Sequence, residues 1–155
     1  MSTKSKLEGE LTIVRNFDAP RELVFKAWTD PRMLVKWWGP KFFTNPVCEV
    51  DARVGGSLRI VMRAPDGREH PMTGVFQELV PPERIVFTSV ATDADGNHLL
   101  EGVTRVTFEN AGGKTKMTLH TQVTGKVPQA EFMIGGMREG WTGSIDRLEE
   151  LLSQV

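Results

Sequence analysis

Residues 130–152 read AEFMIGGMREGWTGSIDRLEELL. Ala130, Ile134, Met137, Trp141, Ile145, Leu148 and Leu152 recur at steps of three or four, while Arg138, Glu139, Asp146, Arg147 and Glu149 fall mostly elsewhere. That spacing has the period of an α-helix and predicts one amphipathic rod of about 24 residues, about 36 Å long at 1.5 Å per residue. Gly135, Gly136, Gly140 and Gly143 sit inside it. An interior glycine costs about 1 kcal/mol relative to alanine, so the four together cost about 4 kcal/mol. A helix that keeps them needs a reason: strands approach it closely there, or room is held open beneath it.

Working outward, residues 42–123 carry the punctuation of an antiparallel sheet. Candidate strands cover 42–51, 57–63, 69–80, 84–91, 100–109 and 115–124, separated by VGG at 54–56, PDG at 65–67, PPE at 81–83, DADGN at 93–97 and NAGGK at 110–114. Alternation places Thr104, Val106 and Phe108 on one face, as it does Met117, Leu119 and Val123, and Leu58, Ile60 and Met62 opposite Arg59 and Arg63. Stretches 74–80 and 84–91 are apolar on both faces, so their inward side stays open.

Before the sheet, LTIVRNF at 11–17 is β-like. Asp18 is a candidate helix cap ahead of Pro20, and a second short helix starts at Asp30–Pro31. There Leu34, Trp37 and Trp38 form an i, i+3, i+4 cluster, and Gly39–Pro40 closes the turn, so both tryptophans are expected on the Leu34 side. The order is strand, two short helices, six strands, long helix. A one-sided antiparallel sheet needs a cover, and only the C-terminal helix is long enough to supply it. This is an α+β chain with a curved sheet gripping a rod, and a hollow is expected where rod and curve part. Residues 1–7 read as a mobile tail and 8–155 as a single domain.

Composition excludes several functions. The chain has 155 residues, 39% hydrophobic and 25% charged, with a formal net charge of −1. Lys and Arg are scattered, without the electrostatic footprint of a nucleic-acid or anionic-membrane binder. No apolar run approaches the ~20 residues that span a bilayer, and MSTKSKLEGE has no apolar core behind its lysines, so a cytoplasmic location is expected. Cys48 is alone and reads as a small buried hydrophobe.

Motifs with chemistry fail on inspection. GGKT at 112–115 lacks the earlier glycine of a phosphate loop, whose place falls on Phe108. DADGN has His98 and Thr104 where a calcium loop needs glycine and glutamate. His70, His98 and His120 lack partners at metal-ligand spacing, so no metal and no cofactor are expected. Glu49, Asp51 and Glu78 read as solvated outer-face carboxylates, and His120 falls opposite Met117 and Leu119 by parity. No catalytic set emerges.

FDAPRELVFKAWTDPRMLVKWWGP, VGGSLRI, GVFQELVPPERIVFT and GMREGWTGSIDRLEELL, in that order, resemble the bacterial homologues of the activator of the heat-shock-protein-90 ATPase. That family lies within the START-like (SRPBCC), birch-pollen-allergen superfamily. The resemblance covers about residues 10–153 and implies a helix-grip fold, β-α-α-β6-α, with a cavity beneath the long helix. It brings no catalytic residues. Superfamily relatives bind lipids, hormones or polyketides, a few cyclise polyketides, and eukaryotic relatives carry a separate chaperone-binding domain.

The leading expectation is therefore a module that holds an apolar or aromatic small molecule. Its candidate lining is Trp37, Trp38, Leu58, Ile60, Met62, Phe76, Phe87, Met117, Met133, Met137 and Trp141. Core filling is the alternative reading of these side chains. The competing functions are a protein-interaction module, co-chaperone-like or homodimeric, and a cyclase- or hydrolase-type enzyme using an inward acid or histidine.

Overall fold

The computed structural model describes residues 7–155. Of the expected tail, residues 1–6 lie outside the described residues, while the Leu7 carbonyl accepts a hydrogen bond from Gly125 N at 2.6 Å.

Seven strands form one antiparallel sheet: β1 (Glu8–Phe17), β2 (Thr44–Val50), β3 (Ser57–Arg63), β4 (Glu69–Val80), β5 (Arg84–Thr92), β6 (His98–Ala111) and β7 (Lys114–Gly125), in the order β1-β7-β6-β5-β4-β3-β2. Irregular register at Thr44/Val47, Phe76/Glu78 and Ala91/Thr92 marks places where a strand takes an extra residue and bends. The sheet is curved, and its concave face holds the core.

The undecided strands resolve cleanly. Phe76 faces inward between the exposed Val75 and Gln77, and Ile85 and Phe87 face inward from β5. Val86 is also buried, outside the main core cluster, which is why the apolar pattern of β5 showed no preferred face.

Between β1 and β2 lie α1 (Arg21–Thr29) and α2 (Pro31–Trp37). Asp18 does not cap α1: Pro20 occupies that position without a side-chain bond, because the chain reaches helical geometry only at Arg21. Asp30 does cap α2, accepting from Arg32 N at 2.9 Å with Pro31 in the first turn.

The predicted C-terminal rod is divided. α3 (Ala130–Gly135) and α4 (Met137–Leu152) meet at Gly136, where φ is −95° and ψ is 2°. Two adjacent residues without Cβ give the backbone its greatest freedom here, and the helix relaxes at that point. Gly140 N then donates to Gly136 O at 2.9 Å and the α-helical ladder resumes.

α4 lies against the sheet along only part of its length. Ile145, Leu148 and Leu152 are buried in the core, and Arg15 of β1 bridges Asp146 at 2.8 Å and Glu149 at 2.9 Å. A nearly straight helix on a curved sheet cannot touch it everywhere. The N-terminal turns of α4 stand off.

Candidate functional site

The gap left by those turns is a cavity of about 360 Å³. From the helix side it is bounded by Met133, Gly136, Met137, Gly140, Trp141 and Ser144. These follow a 3, 1, 3, 1, 3 spacing, which is a single helical stripe facing the sheet. An ideal Cβ placed on Gly140 meets no heavy atom within 4 Å, and on Gly136 it meets only the Phe132 carbonyl oxygen, at 3.6 Å. Of the two reasons a helix could keep glycines, open room is the one that applies at these two positions. Gly143 differs, since a Cβ there would touch Pro40 at 3.5 Å.

The sheet supplies the floor, and register explains which inward residues reach it. Met62, Met72, Phe87, Ser89, Ala91, Leu100, Thr104, Thr121 and Val123 border the cavity. Leu58, Ile60, Phe76, Val106, Phe108, Met117 and Leu119 also belong to the concave face but lie in the solid core. Phe87 pairs with Thr104 and Thr104 with Thr121, so a line through these three separates an open end of the sheet from a packed end.

Six of the eleven sequence-derived candidates border the cavity: Trp38, Met62, Phe87, Met133, Met137 and Trp141. The other five do not. Trp37, Leu58, Ile60, Phe76 and Met117 are core side chains, none more than 3% exposed. Face parity was correct for Leu58, Ile60 and Met117, and the stretch holding Phe76 had no assigned face, but parity does not say at which end of a strand the helix lifts away.

Trp37 and Trp38 are separated by the end of α2. Trp37 stays in the helix, fully buried, with its indole N–H donating to Ala27 O at 2.9 Å. Trp38 has left the helix (φ −64°, ψ 133°), and its ring turns to the cavity wall. Gly39 follows in a left-handed conformation, φ +92°, with Met62 Sδ 2.9 Å from where a Cβ would sit, so only glycine fits. Trp38 packs edge-on to Trp141, with ring centroids 5.3 Å apart, and Trp28 stacks on Trp141 at 6.1 Å. All four tryptophans thus join one cluster with Phe87, and Trp28 backs the wall from behind.

α4 holds this wall in place. Arg147 donates through Nη1 to the carbonyls of Trp38, Gly39 and Pro40 at 3.1, 2.8 and 3.1 Å, and through Nη2 to Lys36 O at 3.0 Å. These oxygens include those left open at the end of α2, a favourable place for a cation. Asn45 Nδ2 adds bonds to Val35 O and Trp38 O. Ser144 Oγ accepts from Gly39 N at 2.9 Å.

The lining is mostly apolar, with hydroxyls from Ser89, Thr104, Thr121 and Ser144 and the ring of His70 at the edge. The carboxylates considered from sequence point elsewhere: Glu49 pairs with Arg59, Asp51 with Arg53 and Glu78 with Arg84. His120 bonds Glu10 and His98 bonds Glu101, both at 2.7 Å. Cys48 is half-buried, and burial pushes its thiol up to about 11, the opposite of an activated nucleophile. Among the described residues no three metal-ligating side chains come together.

Sequence reasoning missed Ser144, Thr104, Thr121, Gly136 and Gly140 as lining. A signal existed for each. The two glycines and Ser144 lie at helical spacing from Met133, and the threonines share parity with Phe108 and Met117.

The family profile for "Activator of Hsp90 ATPase homolog 1-like protein" matches residues 18–153. The chain belongs to this family. Three solved structures place the fold beside it. A Chromobacterium violaceum protein is 30% identical, over 93% of this chain and 96% of that one, with a TM-score of 0.78. A putative uncharacterized protein from Rhizobium leguminosarum is 27% identical over 96% of each chain, TM-score 0.84. The AHSA1 protein of Silicibacter pomeroyi is 25% identical over 94% of this chain and 99% of that one, TM-score 0.80. No curated protein matches the chain significantly. Membership supports a ligand-binding or interaction module as the coarse function of this family member. Among the described residues no helix is long and apolar enough to cross a membrane.

Proposed function

We propose that this family member binds an apolar small molecule in the cavity between α4 and the open end of the sheet. One observation carries the reading: a helical stripe over about 360 Å³ of space presents Met, Met and Trp at some positions and glycine at others. A helix face evolved only for packing would fill Gly140, which lies within α4, since alanine or leucine there gains both helix propensity and buried area. Methionines adapt to irregular ligand shapes, and an indole offers a broad apolar surface. The volume is within the ~300–1,000 Å³ usual for small-molecule sites, near its lower end.

Native mass spectrometry of the protein isolated from its own host, without denaturation, tests this directly. A reproducible added mass that is lost on mild organic extraction supports the reading. A bare polypeptide mass, together with failure of any apolar aromatic to bind in equilibrium dialysis, would overturn it.

A further inference from the structure

The mouth of the cavity defines its ligand more narrowly, in an inference that rests on the cavity reading above. We propose that His70 anchors a carboxylate at this mouth, so that the ligand is an amphipathic acid whose apolar body lies under α4 and whose charged end stays at the rim.

The inward residues of β4 grade from sealed to open. Phe76 is 2% exposed and pairs with Phe87 at the packed boundary, Met72 is half-buried, and His70 is exposed. From Phe76 to His70 the strand covers about 20 Å at ~3.4 Å per residue. His70 pairs with Met62 across the ladder, and both border the cavity. A mostly apolar interior therefore ends in a histidine at its rim.

The three histidines differ in what they bond. His98 and His120 each bond a glutamate at 2.7 Å. The ring of His70 bonds no described residue and is seated against Phe43, with ring centroids 6.1 Å apart. Either tautomer of an imidazole presents an N–H, so His70 keeps a donor for a ligand.

Charge at the rim favours an anion. Among the described residues, His70 is the sole titratable side chain bordering the cavity. The carboxylates of its own hairpin are engaged, Glu69 with Arg63 at 2.7 Å and Asp66 with Arg68 at 3.6 Å. Lys41 falls between the lining residues Pro40 and Phe43, and its ammonium sits 5.2 Å from the Phe42 ring centroid with no ion-pair partner among the described residues. Phe42 is 75% exposed and has φ +73°, the one non-glycine left-handed residue among those described. Conformations of this kind cluster at ligand clamps, and this one stands beside the mouth. A carboxylate at the rim keeps water on its outer side and avoids the desolvation cost that a charge under α4 would meet. An ammonium there would face a donor and a cation, both of the wrong sign.

Equilibrium dialysis at pH 7 with three probes on one ring system tests this: 2-naphthoate, 2-methylnaphthalene and protonated 2-naphthylmethylamine. Naphthoate is expected to bind tightest and the ammonium weakest. His70→Phe keeps a ring against Phe43 but removes the donor, so it should lower naphthoate affinity about 3- to 10-fold with little change for methylnaphthalene. His70→Lys supplies a charged donor and should recover the naphthoate preference, which a purely structural role for the ring would not do. His70 is exposed, so neither substitution disturbs the core. A naphthoate-to-methylnaphthalene ratio that is unchanged in His70→Phe, or not restored in His70→Lys, overturns the anchor, as does an ammonium that binds tighter than naphthoate. Binding of methylnaphthalene in those cases keeps the cavity reading alive. Failure of all three probes removes both.

Discussion

Replacing Gly140 separates the cavity reading from ordinary packing, because the two predict opposite signs. Gly140 lies within α4 on the inward stripe, and a Cβ there meets nothing within 4 Å. Gly140→Ala should therefore raise stability by up to about 1 kcal/mol from helix propensity alone. For a domain of this size that corresponds to an increase of about 2–4 °C in melting temperature. Gly140→Leu should add more, because its side chain enters apolar space, and burying a leucine contributes about 1.5–3 kcal/mol. Both changes should lower affinity for an apolar ligand, the leucine far more than the alanine. Urea and thermal denaturation measure the first effect, and equilibrium dialysis of an aromatic probe the second. A melting temperature that falls in Gly140→Ala would mean that the helix meets the sheet at this turn. A melting temperature that rises in Gly140→Leu with probe affinity unchanged would place any ligand elsewhere.

The adjacent tryptophans should part company: Trp37→Ala should cost about 3–5 kcal/mol of folding stability in urea titrations, as a large-to-small core change does, whereas Trp38→Ala should weaken aromatic-probe binding by more than it weakens folding. Equal losses of both in Trp38→Ala would return that ring to the core. Arg147→Ala should destabilise by about 2 kcal/mol through the loss of its charged bonds to carbonyls at the end of α2, and Arg147→Lys should recover only part, since one ammonium cannot span four acceptors. An alanine variant as stable as the parent in urea would show the clamp to be idle. Cys48, with its thiol raised to about 11 from an ordinary 9.0, carries about a hundredfold less thiolate than an exposed cysteine, so disulfide-reagent labelling of the folded protein should be slower than that of the denatured chain by about that factor. The same shift makes the unfolded chain the first to ionise as pH passes about 9, so stability falls above that pH, and a Cys48→Ala variant should lose that pH dependence.

Local chemistry was legible before any coordinates. Turn residues marked the strand boundaries within a few residues, Asp30–Pro31 marked the start of α2, and alternation named the inward face of β3, β6 and β7. These are short-range properties: a glycine turn, a capping carboxylate or a pleat acts over a few residues, and sequence displays it directly. The α+β helix-grip architecture followed, because one sided sheet and one long apolar stripe have few ways to bury each other.

What remained hidden was where contact between them stops. Met117 and Thr121 share strand and face, yet one is sealed in the core and the other borders open space. Trp37 and Trp38 are neighbours, but the helix end between them sends one indole inward and the other to the cavity wall. The pinning of α4 by Arg147 and Ser144 joins residues more than a hundred positions apart. Each of these depends on the curvature of the sheet against the straightness of a helix, and that mismatch exists only once the whole chain is assembled.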